Sequence, residues 1–311
     1  MPENTEKIYG LIISPAFKKH HFIYPGKQVT GEVTVTNDFG EGQTIYVNIY
    51  MSDMFQKDGK ATFLERGQGN RSYMMADWTT LDKNQVTLKY RESATVKYTI
   101  TVPENPPPGG KYTAIVFATG DNANRVENVT GAAINERMAF PILAATPGDI
   151  VNTSELLDFR TDKKLYLFWP KDHTNFILTI KNTGNVDTTP RGDIFVHRGD
   201  ITKHVKHVPI NENDLVILPE NTREYVMPWQ AQGPIISFTE GKLSVNLDYF
   251  RIGRYYALAK IGYDVNGKRV VADRVVSFWI LPIQLILVIL IAIIVIGGLV
   301  YAKSRKKGRK K

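Results

Sequence analysis

The chain has 311 residues, no cysteine and a formal charge of +8. Without cysteine there is no disulfide, thiol catalysis, Cys-based zinc site or Fe–S ligation. Seven of the nine residues from Lys303 to Lys311 are basic, which leaves about +1 on residues 1–302, so the charge marks a tail and not a nucleic-acid-binding surface.

Residues 1–7 are polar and read as a disordered N-terminus. No signal peptide is visible, because the apolar stretch 8–13 is too short for an h-region. The expectation is a form whose signal was removed or omitted. The alternative, a tail-anchored protein with its bulk in the cytosol, places the basic tail on the outer side against the usual bias.

From residue 8 onward helical periodicity is nearly absent. Runs at 29–36, 44–50, 95–102 and 112–117 carry β-branched and aromatic residues at alternate positions, as half-buried strands do. Short strands at regular spacing with turn residues between them predict a β-sandwich. A first immunoglobulin-like domain is expected over 8–147. Within it, 52–83 lacks a clear strand pattern and holds Met54, Phe55, Tyr73, Met74, Met75 and Trp78. Methionine and aromatic side chains on a loop make an adaptable apolar contact surface, so these six are the candidate binding residues. Alternatively they tuck back and cap the sandwich core.

Pro147-Gly148 breaks the chain, and a second sandwich is expected over 148–279. A weak repeat supports two copies. Pro25-Gly26-Lys27 leads a strand that ends at Asn37, and Pro170-Lys171-Asp172 leads one that ends at Asn182, an offset of 145. Gly110-Lys111-Tyr112 is echoed by Gly253-Arg254-Tyr255 at an offset of 143. Tyr112 and Tyr255 are read as buried packing residues near strand entrances, like the tyrosine corner of immunoglobulin-type sandwiches. The stretch 230–250 is irregular, with Pro234-Ile235-Ile236 exposed or packed on a bilayer.

The run 281–301 is apolar without a charge, which predicts a transmembrane helix over 280–301 and a basic cytoplasmic tail over 302–311. A buried core helix is the alternative. Trp279, Lys303, Arg305, Lys306 and Lys307 are the expected anchor flanks. The fold class is then all-β: two tandem immunoglobulin-like β-sandwiches followed by a single transmembrane helix. The localisation is single-pass, type I, in the cell membrane, with the second sandwich near the bilayer and the first distal.

Chemistry is sparse. His20, His21, His173, His197, His204 and His207 include no H-E-x-x-H, and His204 and His207 fall on opposite faces of a strand, so no metal is expected. No nucleophile elbow, phosphate loop or dinucleotide fingerprint is present, and Gly67-Gln68-Gly69 has no helix after it. Asp53, Asp58, Asp77 and Asp82 share a region, but acidic residues are ordinary in β-loops. Arg191-Gly192-Asp193 and Arg198-Gly199-Asp200 are integrin-type tripeptides, and also ordinary turn chemistry. Asn70, Asn128 and Asn152 begin glycosylation sequons.

Pro25-Gly26-Lys27, Asn37, Asp58-Gly59 and Pro108-Gly109-Gly110-Lys111-Tyr112, with two sandwiches, a C-terminal helix and a Lys/Arg tail, resemble the WxL-interacting proteins of bacterial surfaces. The run 217–223 with Trp229 looks like a pattern common in membrane-anchored bacterial immunoglobulin-like domains. The resemblance implies peptidoglycan binding by the first domain and a surface partner for the second. The expected function is non-enzymatic: a membrane-anchored protein that binds cell-wall polymer or another surface protein, without cofactor or nucleic acid. The alternative is a subunit of a larger membrane assembly, with Gly297-Gly298 allowing close helix approach. A wall hydrolase ranks third, since no catalytic constellation supports it.

Overall fold

The computed structural model describes residues 10–20, 22–64, 70, 72–119, 136–167, 174–200, 202, 204–230, 236–239, 242–245, 251–265 and 268–308. The expectations placed on residues 1–7, His21, 67–69, Arg71, Asn128, 170–173 and Pro234-Ile235 lie outside the described residues.

The first set of strands is β1 (Leu11–Ser14), β2 (Lys18–Lys19), β3 (Gln28–Asn37), β4 (Thr44–Lys57), β5 (Lys60–Leu64), β6 (Thr79–Leu81), β7 (Gln85–Lys89), β8 (Ser93–Thr101), β9 (Gly109–Thr119) and β10 (Arg137–Thr146). They form one sheet in the order β1-β3-β8-β6 and another in the order β2-β10-β9-β4-β5, with β7 also on β4. Alternate residues face inward from both, among them Val33, Val35, Val96 and Ile100 against Val47, Ile49, Ile115, Phe117 and Phe140.

The second set is β11 (Ser154–Thr161), β12 (Leu165–Tyr166), β13 (Thr174–Asn182), β14 (Arg191–Arg198), β15 (His204–Ile210), β16 (Thr222–Trp229), β17 (Ile236–Thr239), β18 (Lys242–Val245), β19 (Gly253–Val265) and β20 (Lys268–Ile280). Sheets β11-β13-β16 and β12-β20-β19-β14-β15 enclose a second core around Phe176, Trp229, Tyr255 and Phe278, and β17-β18 is a separate hairpin. The protein is thus mostly β, built as two immunoglobulin-like sandwiches. In each, the opening strand is split between sheets: β1 pairs β3 while β2 runs parallel to β10, and β11 pairs β13 while β12 runs parallel to β20.

The repeated asparagine is a buried peg in both copies. Asn37 is fully buried; its Nδ2 donates to Gln43 O (3.1 Å) and Leu88 O (2.9 Å), and its Oδ1 accepts from Phe39 N (3.0 Å). Asn182 does the same with Val186 O (2.7 Å), Ile217 O (2.9 Å) and Gly184 N (2.9 Å). The second landmark is shifted by one residue. Gly109 and Gly253 both lie at positive φ (104° and 108°), and they begin equivalent strands. In that register Lys111, not Tyr112, matches Tyr255. Tyr255 packs edge-on against Trp229 in the core (5.4 Å), and Lys111 takes the corresponding place 6.0 Å from the Trp78 ring.

The expected membrane span is corrected here: among the described residues no helix is long and apolar enough to cross a membrane. The last element is a helix, α1 (Ile283–Gly308). The single-pass, type I, cell-surface localisation and the anchoring drawn from that span are withdrawn with it. Trp279, expected as an interfacial flank, is a strand residue of β20, opposite Leu165 and Arg254. The side chains of Lys303, Arg305, Lys306 and Lys307 lie outside the described ones.

Candidate binding surface at the seam between the sandwiches

The segment 52–83 is more regular than its sequence suggests. β4 continues to Lys57, turns at Asp58-Gly59 (φ 50° and 74°) and returns as β5. The pairs Asp53–Leu64 through Lys57–Lys60 follow that turn. Two consecutive positive φ values are the geometry of a tight hairpin turn, which Asp-Gly supports. The strand escapes a period-two reading because Ser52, Asp53 and Gln56 are buried along with Met51 and Met54.

The second sandwich covers Met54 and Gln56. The Gln56 amide donates from Nε2 to Val216 O (2.9 Å), and its Oε1 accepts from Leu218 N (3.0 Å). Gly110 N donates to Asn185 O (2.7 Å), and Asn185 also holds the linker through Asp149 O and Val151 N. A Cβ on Gly109 would stand 2.6 Å from Asn185 O, so only glycine allows this approach. Asp187, its carboxylate buried, pairs with Lys19 and lies 3.5 Å from the Tyr112 hydroxyl. Burial, reinforced by the Asp187 charge, holds the Tyr112 phenol well above its usual range. Tyr73 donates to Glu220 Oε1 (3.2 Å), and burial followed by that carboxylate raises its pKa also.

The six expected residues divide. Met75 is fully buried in the first core, and Trp78 packs against that core. Met54 is buried at the seam in a cluster with Tyr112, Leu143 and Leu218, against which Tyr73 packs. Met54, Phe55, Tyr73 and Met74 line an opening of about 50 Å³ together with Leu218 and Pro219 of the second sandwich. Sequence reasoning missed Gln56, Asn185 and Asp187; the run 217–223 was visible as a motif, but nothing in it says what it touches. A groove of about 440 Å³ lies between edge strands β15 and β16, lined by Lys206, Arg223, Glu224 and Pro228 among others, and it contains none of the six.

The polar candidates do not converge. Among the described residues no group of three or more His, Cys, Asp or Glu is placed to hold a metal. His20 Nε2 stands 3.0 Å from the Tyr98 hydroxyl, and His197 and His204 occupy opposed register positions on β14 and β15. Asp53, Asp58, Asp77 and Asp82 fall on different elements, and Asp82 accepts from Lys97 N (2.8 Å). Arg191-Gly192-Asp193 lies within β14, where Arg191 pairs with Asp214 (2.7 Å). Arg198-Gly199-Asp200 makes the turn after it, with Gly199 N on Arg254 O (2.8 Å).

This geometry defines a class: two immunoglobulin-like sandwiches joined by a polar and apolar seam. No family model and no curated protein matches the chain. Solved structures similar to it include the class 5 fimbriae chaperone CfaA, 15% identical over 86% of this chain and 98% of that one, TM-score 0.39. They also include the E. coli chaperone DraB, 12% identical over 87% and 97%, TM-score 0.38. A third is the complex of Salmonella enterica SafA pilin with the SafB chaperone, 10% identical over 87% and 98%, TM-score 0.38. The resemblance to WxL-interacting proteins is corrected here: no family model matches the chain, and the residues that carried it are fold features of this structure, namely the asparagine peg, the Asp-Gly turn and the positive-φ glycine.

Proposed function

We propose that the chain is a non-enzymatic protein-binding module that meets its partner at the seam. The supporting observation is the convergence of Phe55, Tyr73 and Met74, half-buried, with Leu218 and Pro219 around one small opening. Methionine and aromatic side chains adapt to an apolar partner group at little conformational cost. An opening of about 50 Å³ accepts the tip of one side chain; small-molecule and sugar sites run to about 300 Å³ or more. That magnitude favours a protein partner over cell-wall polymer.

The test pairs Phe55→Ser with Met74→Ser in the full chain. Proteins captured from the source organism by the wild type are compared with those captured by the double variant, with thermal unfolding as control. Loss of one defined partner at unchanged Tm supports the reading. Retention of every partner sinks it.

A further inference from the structure

Among the described residues, the final strand of each sandwich is paired along its outer edge only by the short strand beside it and the residues that follow that strand. β2 meets β10 at Ile142 and Leu143, and β12 meets β20 at Trp279 and Ile280. His20 N donates to Leu143 O (2.7 Å) and Ile23 N to Ala145 O (2.9 Å), so odd-numbered residues of β10 turn their N–H and C=O toward that edge. On the uncovered part of β10 one odd position is Pro141, which has no N–H to offer. A proline there blunts the edge against an added strand.

β20 has no such guard. Trp279 N donates to Lys164 O (2.9 Å) and Leu281 N to Tyr166 O (2.8 Å), which sets the same parity. Val271, Asp273, Val275 and Ser277 therefore turn their backbone groups outward. β19 occupies the other edge along the whole of β20, and among the described residues no strand pairs with this one over 268–278. Val271 is 62% exposed and Val275 52%, while Ala272 and Val276 on the opposite face pack half-buried on the core. The edge is long, rich in β-branched residues and free of proline. Its four outward residues span about 20 Å at about 3.4 Å per residue.

We propose that this edge of β20 receives an extended segment of a partner protein as an added strand. The chemistry specifies the segment. Opposite Asp273 it carries a basic residue, with aliphatic residues two positions away on either side to meet Val271 and Val275. Its other face sets apolar residues opposite Ala272 and Val276 and a polar one opposite Arg274, exposed between them. The register of two copies that sets Val271 against Val275 is disfavoured, because it places Asp273 against Asp273 and like charges directly opposed destabilise a sheet.

The experiment uses the full chain and a labelled alternating peptide of about nine residues, with Lys at the centre and Val two positions to either side. Saturable binding is expected, with slowed amide exchange at Val271, Asp273, Val275 and Ser277. Val275→Pro, which removes an outward N–H, abolishes it. Asp273→Lys weakens it tenfold or more, and a peptide with Glu at its centre restores binding to that variant. The restoration keeps the test decisive if Val275→Pro fails to fold. Absence of saturable binding by the wild type, equal binding by a folded Val275→Pro variant, or no charge-swap restoration overturns the proposal. Self-association of the wild type through this edge, seen by sedimentation and lost in Asp273→Lys, overturns it in favour of a second copy.

Discussion

Lys111 is a buried cation in the first sandwich. It is fully buried, its ammonium donates to Gly109 O (3.3 Å) and Gly110 O (3.2 Å) and lies 6.0 Å from the Trp78 ring, and burial lowers its pKa from 10.5 to about 8. The second sandwich fills the matching place with Tyr255. Because the folded pKa lies below the unfolded one, the unfolded chain binds more protons between them, so stability rises with pH from about 8 to about 10.5. Below that window both states are protonated and the fold carries the full cost of a buried charge. Lys111→Met, of similar volume, is expected to stabilise at pH 7 by up to ~3 kcal/mol. Urea unfolding at several pH values checks this: the advantage shrinks toward about pH 10. The asparagine pegs work in the opposite direction. Asn182→Ala leaves Val186 O, Ile217 O and Gly184 N without their side-chain partner. The expected loss is about 2–3 kcal/mol by chemical denaturation, and a loss below about 0.5 kcal/mol would contradict the peg.

At the scale of elements, the split opening strands leave both closing strands partly bare, and a single residue separates their fates. Pro141→Val restores an outward N–H on β10. The expected result is concentration-dependent association by sedimentation velocity, absent in the parent at the same concentration. Strands such as β3 and the first half of β4 were legible in the sequence because one face meets the core and the other meets solvent. β9 was also read as a strand from the run 112–117, but as half-buried, whereas every residue from Gly109 to Thr119 is buried. The end of β4 was missed for a related reason. Ser52, Asp53 and Gln56 are polar yet inside, and Gln56 is covered by a domain more than a hundred residues away in the chain. The apolar run near the C-terminus does form a helix, as its composition suggests, but the membrane span inferred from its length is not carried by the described residues.

At the scale of the whole molecule, the seam makes two sandwiches into one body. Gln56 is its centre, with both ends of its amide paired to the backbone of the second domain. Gln56→Leu leaves Leu218 N and Val216 O buried without that partner, a cost of about 1–3 kcal/mol. Calorimetry is expected to resolve two transitions in the variant where the parent gives one. A single unshifted transition would show that the seam does not couple the domains.

The sequence by itself determined the mostly β character, the two sandwiches and the asparagines that end matching strands at Asn37 and Asn182, because each rests on local chemistry: alternation along a strand, and turn residues at its end; the transmembrane part of the expected fold class it did not determine. It also pointed to Met54, Tyr73 and Met74 as unusual for their place. Tertiary structure alone decided the rest. The register that sets Lys111 against Tyr255 follows from backbone angle at Gly109 and Gly253, not from residue type. The seam and the bare edge of β20 depend on which distant strands arrive beside them, and a one-dimensional pattern of apolar and polar residues does not record its neighbours.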